Sequence, residues 1–261
     1  MIQYSYGSIV LHDGSTYLVT KIDGISPVDW NITTAKIART EGMKVVGQTI
    51  DTRTITLSMQ VVTASRTALE AALDTLEAAL NVPQQSLTLH SDNRYWIASC
   101  TKLTYSRDMV AVANVQVTFT CYQPYAYSAT VQAQTVTGNV SSPITWTMTG
   151  GGTIFSHPQM KITNTDGALS LTTIAIQNMT SGQKLSLGTL QLLPAQYLIA
   201  TGDPFDTYSY TVTKNGVLTL FYDFIGVFPT LDTGISNWQL TAATTGGTVQ
   251  ILVTWTPRYL S

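Results

Sequence analysis

A strand that runs into Cys-Tyr-Gln-Pro-Tyr-Ala-Tyr at residues 121–127 must stop there, because Pro124 has no amide to donate to a sheet ladder. This stop constrains the chain more than any other local feature, since it falls where the hydrophobic pattern changes. Before it lie alternating runs and one strong amphipathic helical segment. After it come only short, Thr-rich alternating runs, down to Thr-Trp-Thr-Pro-Arg-Tyr-Leu-Ser at residues 254–261. The segment 119–127 therefore reads as a domain exit. It divides the 261 residues into 1–130 and 131–261, a length sufficient for two modest cores.

Within the first half, residues 8–11 and 17–22 alternate and lead to a turn at Asp23-Gly24. Residues 37–46 (IARTEGMKVV) form two short runs around Gly42, a pattern that suits an ordinary hairpin or a projecting arm. Residues 54–62 place Ile55, Leu57, Met59 and Val61 on one face and Thr54, Thr56, Ser58 and Gln60 on the other, as a half-buried strand requires. Thr67 followed by Glu70 has the form of a capping box, and Leu69, Ala72, Leu73, Leu76 and Leu80 make one helical stripe that Asn81 and Pro83 end. A helix over about 67–80 follows. Strand patterns return at 86–90, 95–103 and 115–121, so the first half is expected to be α+β, a sheet or sandwich with one helix. A hairpin centred on Asp108 sets Cys121 near Tyr95, several residues from Cys100. The two cysteines are then expected as reduced thiols in a chain made in the cytoplasm.

Beyond Tyr127 the helical period disappears. Candidate strands at 131–137, 144–149, 159–163, 171–177, 184–187, 190–193, 197–200, 208–213, 217–221, 238–241 and 249–256 are separated by turn signals such as Asp166-Gly167, Asn215-Gly216 and Gly246-Gly247. Regular short strands with this punctuation predict a β-sandwich or jelly roll, and the chain as a whole is mainly β. The glycine run 150–152 reads as a flexible connection.

Charge then limits the function classes. Only 11% of residues are charged, and each half carries a formal −1 (nine Lys+Arg against ten Asp+Glu, then four against five). Such a surface resists self-association poorly and suits a protein covered by neighbours. It offers no basic face for tight nucleic-acid binding. The N-terminus lacks a signal-peptide pattern, and no apolar run is long enough to span a membrane. His12, His90 and His157 are scattered without metal-ligand spacing, and neither a nucleophile elbow nor a phosphate-binding glycine loop occurs, so no catalytic, metal or cofactor residues are expected. Asp203, Asp206, Asp223 and Asp232 form the one acidic group with a conceivable chemistry, as glycosidase carboxylates or calcium ligands, but their sequence contexts are ordinary turns. Trp146, Trp238 and Trp255, with Tyr208, Tyr210 and Tyr222, suit either core packing or a sugar-stacking groove, for which Trp238 is the candidate.

The order of these elements resembles the distal tail (Dit) family of long-tailed bacteriophages. The features that carry the resemblance are an Arg53-led strand (DTRTITLSMQV), the helix, the Tyr95 hairpin, the aromatic-Pro-Tyr exit, Pro158-Gln-Met-Lys-Ile-Thr-Asn opening the second half, Asn215-Gly216, residues 228–237 (FPTLDTGISN), and the closing Trp-Thr-Pro-Arg-Tyr. The resemblance implies a non-enzymatic virion protein. Its first domain would form a hexameric ring continuing the tail tube. Its second, a galectin-like β-sandwich, would anchor receptor-binding or fibre proteins, and a tail tip protein would cap the ring. DNA would pass through the lumen without specific binding. By position the inter-subunit arm is 37–46, with Arg39, Glu41, Gly42, Met43 and Val45 as interface residues. Two alternatives stay open: another tail-tube subunit, or a lectin-like adhesin.

Overall fold

The computed structural model describes residues 4–25, 30–36, 43–89, 93–188, 190–202, 211–215, 217–219, 224–243 and 247–260. They form two compact units, one of residues 1–129 with 259–261 and one of residues 130–258. The first is α+β and the second is a β-sandwich, so the chain is mainly β.

The strands and helix of the first unit are β1 (Ser5–Tyr6), β2 (Ile9–Val10), β3 (Tyr17–Asp23), β4 (Trp30–Ala35), β5 (Lys44–Ile50), β6 (Arg53–Val62), α1 (Arg66–Leu80), β7 (Gln85–Thr88), β8 (Arg94–Met109), β9 (Val112–Cys121) and β10 (Ala126–Ser128). The main sheet runs β2-β1-β7-β8-β9-β6-β3. Its centre follows the alternation in the sequence: Ile55, Leu57, Met59 and Val61 of β6 and Val115, Val117, Phe119 and Cys121 of β9 are buried, and their polar neighbours face outward. Leu69, Leu73, Leu76 and Leu80 of α1 complete the same core. Each such side chain contributes about 1.5–3 kcal/mol on burial.

The helix begins differently from the capping-box expectation. Ser65, in extended conformation, is the N-cap, and its Oγ accepts the Ala68 amide at 3.2 Å. Glu70 is turned outward instead, to Arg107 at 2.8 Å. The β8–β9 turn falls at residues 110–111, not at Asp108, and bulges between Cys100 and Lys102 and between Arg107 and Met109 shift the pairing. Cys100 consequently lies opposite Phe119. Neither cysteine is in a disulfide, and burial pushes the Cys121 thiol up to about 12 while Arg53 pulls the other way. Past Pro124 the chain does not leave the unit at once. Strand β10 pairs back onto the start of β8, with Tyr127 opposite Tyr95 and their rings stacked at 5.7 Å.

In the second unit, β11 (Gln132–Asn139), β12 (Ile144–Thr149), β13 (Gln159–Asn164), β14 (Ile174–Asn178), β15 (Lys184–Leu187), β16 (Tyr197–Thr201), β17 (Thr211–Lys214), β18 (Val217–Thr219), β19 (Phe224–Gly226), β20 (Ile235–Thr241) and β21 (Thr248–Trp255) build two antiparallel sheets. Their orders are β11-β21-β13-β16-β17-β18 and β12-β20-β14-β15-β19. Met160, Ile162, Ile251 and Val253 from the first sheet share one core with Trp146, Ile176, Leu187 and Trp238 from the second. The expected strand at 190–193 is reduced to a single bridge between Leu171 and Leu192. The glycine run 150–152 is a packed crossing, not a loose link. A Cβ on Gly150 would lie 2.0 Å from the Asp232 carbonyl, and Gly152, at φ +74°, would meet the Arg258 carbonyl at 2.2 Å. Strand β22 (Arg258–Tyr259) pairs with β10, which carries residues 259–260 back into the first unit.

Candidate assembly surfaces

Among the described residues, strands β4 and β5 pair only with each other, as a two-stranded ribbon outside the three larger sheets. The register sets Trp30 opposite Ile50 and Thr34 opposite Val45, with a bulge between Thr33 and Thr34. Side chains alternate along a strand, so Trp30, Ile32, Val45 and Ile50 share one face. Met43 joins them, its Sδ 3.3 Å from the Thr34 hydroxyl. Every residue of β4 is exposed, and Trp30, Ile32, Met43, Val45 and Val46 retain 48–69% of their surface. An isolated pair of strands is marginal in water, and this one presents an apolar face to solvent. Its composition is that of an element awaiting a second surface.

Met43 and Val45, two residues read from sequence as interface candidates, thus stand on this apolar face, whereas Arg39, Glu41 and Gly42 lie outside the described residues. Trp30 and Ile32 escaped the sequence reading. Their alternation, Trp-Asn-Ile-Thr-Thr, was the available signal, and the exposed apolar residues lie on both strands of the ribbon.

A second exposed apolar point is the β8–β9 tip, where Met109 and Val110 protrude beside Arg107. Arg107 pairs with Glu70, which also lies 3.9 Å from Arg66, so the tip is tied to the helix start by a solvent-facing ion cluster of modest strength. An open groove of about 550 Å³ in the first unit is lined by Asp74, Glu77, Cys100 and Lys102.

The residues weighed for chemistry go elsewhere. Trp238 is fully buried and stacks on Trp146, its cross-strand partner, with ring centroids 6.3 Å apart. It is a core residue and has no face to offer a sugar. Trp146 and Trp255 are buried as well, the latter donating its indole N–H to the Gly150 carbonyl at 2.9 Å. His12 accepts the Val19 amide through Nδ1, and His157 meets the Phe155 ring edge-on. His90, Asp203, Asp206, Asp223, Tyr208, Tyr210 and Tyr222 lie outside the described residues, and Asp232 is half-buried. Among the described residues no three His, Cys, Asp or Glu side chains gather as metal ligands would. No described helix is long and apolar enough to cross a membrane.

One buried and one half-buried arginine mark the first unit more clearly. Arg53, 4% exposed at the head of β6, donates through Nη1 to the Ile25 carbonyl at 3.0 Å and through Nη2 to the Leu260 carbonyl, with the Trp96 ring 5.7 Å away. Burial lowers its pKa, against a smaller opposing influence of Cys121. The Arg94 guanidinium lies 3.7 Å over the ring of Tyr259.

Residues 4–121 match the phage tail protein RIFT-related domain family. No curated protein matches the sequence. Among solved structures, the Dit protein (gp 19.1) of phage SPP1, described as a paradigm of the hub adsorption apparatus in phages infecting Gram-positive bacteria, is similar over 98% of both chains at a TM-score of 0.71 and 14% identity. The phage P2 baseplate in its activated conformation with calcium is similar over 97% of both chains, at a TM-score of 0.53 and 11% identity. Residues 4–121 thus resemble a phage tail protein RIFT-related domain, and the whole chain shares the fold of the SPP1 Dit protein.

Proposed function

We propose that this protein forms a hexameric ring at the distal end of the tail, where it joins the tail tube to the tip or baseplate as the hub of an adsorption apparatus. The first unit makes the ring, and the sandwich serves as the outward adaptor for receptor-binding or fibre proteins. DNA passes through the lumen without being held. The observation that carries this reading is the free ribbon of β4 and β5, with its apolar face of Trp30, Ile32, Met43 and Val45, in a chain whose fold matches a hub protein over its full length. A closed cyclic assembly lets one repeated contact cover such a face on every copy.

The low charge suits this role, since neighbouring copies do not repel and no basic surface retains DNA. The adhesin alternative loses its candidate residue with the burial of Trp238. Negative-stain images and light scattering of the purified chain test the proposal. A discrete ring is expected, and Ile32→Ser combined with Val45→Ser should yield folded monomers. A monomeric wild-type chain at tens of micromolar, about the range of weak assemblies, would overturn it, and long stacked tubes would identify a tube subunit instead.

A further inference from the structure

The first unit is discontinuous in sequence. Residues 130–258 build the sandwich, and the chain then returns so that Tyr259 packs against the first core and β22 pairs with β10. Two arginines of the first unit receive this segment. Arg94 covers the Tyr259 ring, and Arg53 takes the Leu260 carbonyl as one of its two acceptors. No carboxylate among the described residues pairs with Arg53, although it is almost fully buried. A buried cation whose hydrogen bonds go to two carbonyls, with an aromatic ring beside it, depends on both carbonyls, because losing one leaves donors with neither water nor protein acceptor.

We propose that Tyr259–Leu260 is a built-in ligand of the first unit, docked against Arg53, Arg94 and β10, and that its arrival completes that unit only after the sandwich has been made. Arg53 and Arg94 then form a receptor for an extended segment that offers an aromatic ring followed by a backbone carbonyl. An Arg fork suits this task, since it presents several donors in a fixed plane and stacks on aromatic faces. If the ring reading above is also right, assembly competence is withheld until the returning segment is in place. A first unit cut away near residue 130 lacks this segment and is expected to be incomplete.

Hydrogen exchange on the full chain, compared with a chain ending at Arg258 and with the full-length variants Tyr259→Ala and Arg53→Lys, tests the inference. Amide protection in Arg53–Val62 and Val112–Cys121 is expected to fall at least about ten-fold in all three, while Ile235–Thr241 and Thr248–Trp255 of the sandwich stay within about two-fold, the pattern of one cooperative unit loosening alone. The full-length variants keep the test valid should the shortened chain not fold. Unchanged protection of the two first-unit strands in either full-length variant overturns the inference, as does an equal loss in both units. The readout is local and needs no ring, so a wild-type chain found to be monomeric would remove the ring reading and leave this result standing.

Discussion

The two units solve the same problem, covering one face of a sheet, in different ways. The sandwich covers each of its sheets with the other, and its core residues come from both sheets in one uninterrupted stretch of chain. The first unit has one main sheet. It closes its core with α1 and with Tyr259 from the far side of the sandwich sequence, and it leaves the β4–β5 ribbon uncovered. A unit that finishes its own core suits a free-standing module carrying partners. A unit that borrows a segment and displays an apolar ribbon suits incorporation into something larger.

The strongest test of this contrast is Trp238→Ala. Removing a fully buried indole from the sandwich is expected to cost about 3–5 kcal/mol. The second unit should then melt well below the first in a calorimetric scan, and a single shared transition would deny the units their independence. Leu76→Ala makes the mirror-image change, removing a helix side chain from the first core at a cost of about 2–5 kcal/mol. Denaturant unfolding should show the loss in the first unit alone. Ser65→Ala, which deletes the N-cap acceptor of the Ala68 amide, is expected to lower the same transition by about 1 kcal/mol.

Acid provides a smaller probe in which both units behave alike. Burial acts to raise the Asp13 pKa, but the amides of Ser15, Tyr17 and Thr16 outweigh it and bring the carboxyl below its ordinary value. Asp166 is lowered by the amides of Leu169 and Ala168. A depressed carboxylate contributes stability that is present above the unfolded pKa of about 4 and lost as pH falls through the folded one. Asp13→Asn and Asp166→Asn keep an acceptor but cannot titrate, so each should reduce the acid sensitivity of its own unit's thermal transition. The smallest effect on stability belongs to the ribbon. Trp30→Ser and Val45→Ser should change unfolding free energy by no more than about 0.5 kcal/mol, as exposed positions do. A large loss in the monomer would show that the ribbon belongs to the unit's own core.

Much of both units was legible locally. Residues 54–62 and 115–121 declare their buried faces through strict alternation, and Leu69, Leu73, Leu76 and Leu80 declare the helix through its 3.6-residue period. The strand at 144–149 and the one at 184–187 were set by the same rule. The errors fell where distant partners decide. Two bulges moved the β8–β9 register, and Ser65 displaced Thr67 as cap because the chain enters the helix in extended conformation there. The glycines at 150–152, which locally signal looseness, answer a close approach of the Asp232 and Arg258 carbonyls.

Element types, the change of architecture near Pro124 and the low surface charge are local properties, because periodicity, proline and composition act through neighbours a few residues away. It takes the folded chain to make Trp238 core, to bring Trp30 and Ile32 beside Met43 and Val45 on one exposed face, and to set Arg53 against the Leu260 carbonyl 207 residues later. Burial and hydrogen-bond partnership are properties of what folds against a residue. A Trp in an alternating run or an Arg at the head of a strand carries no local mark of what that neighbour will be.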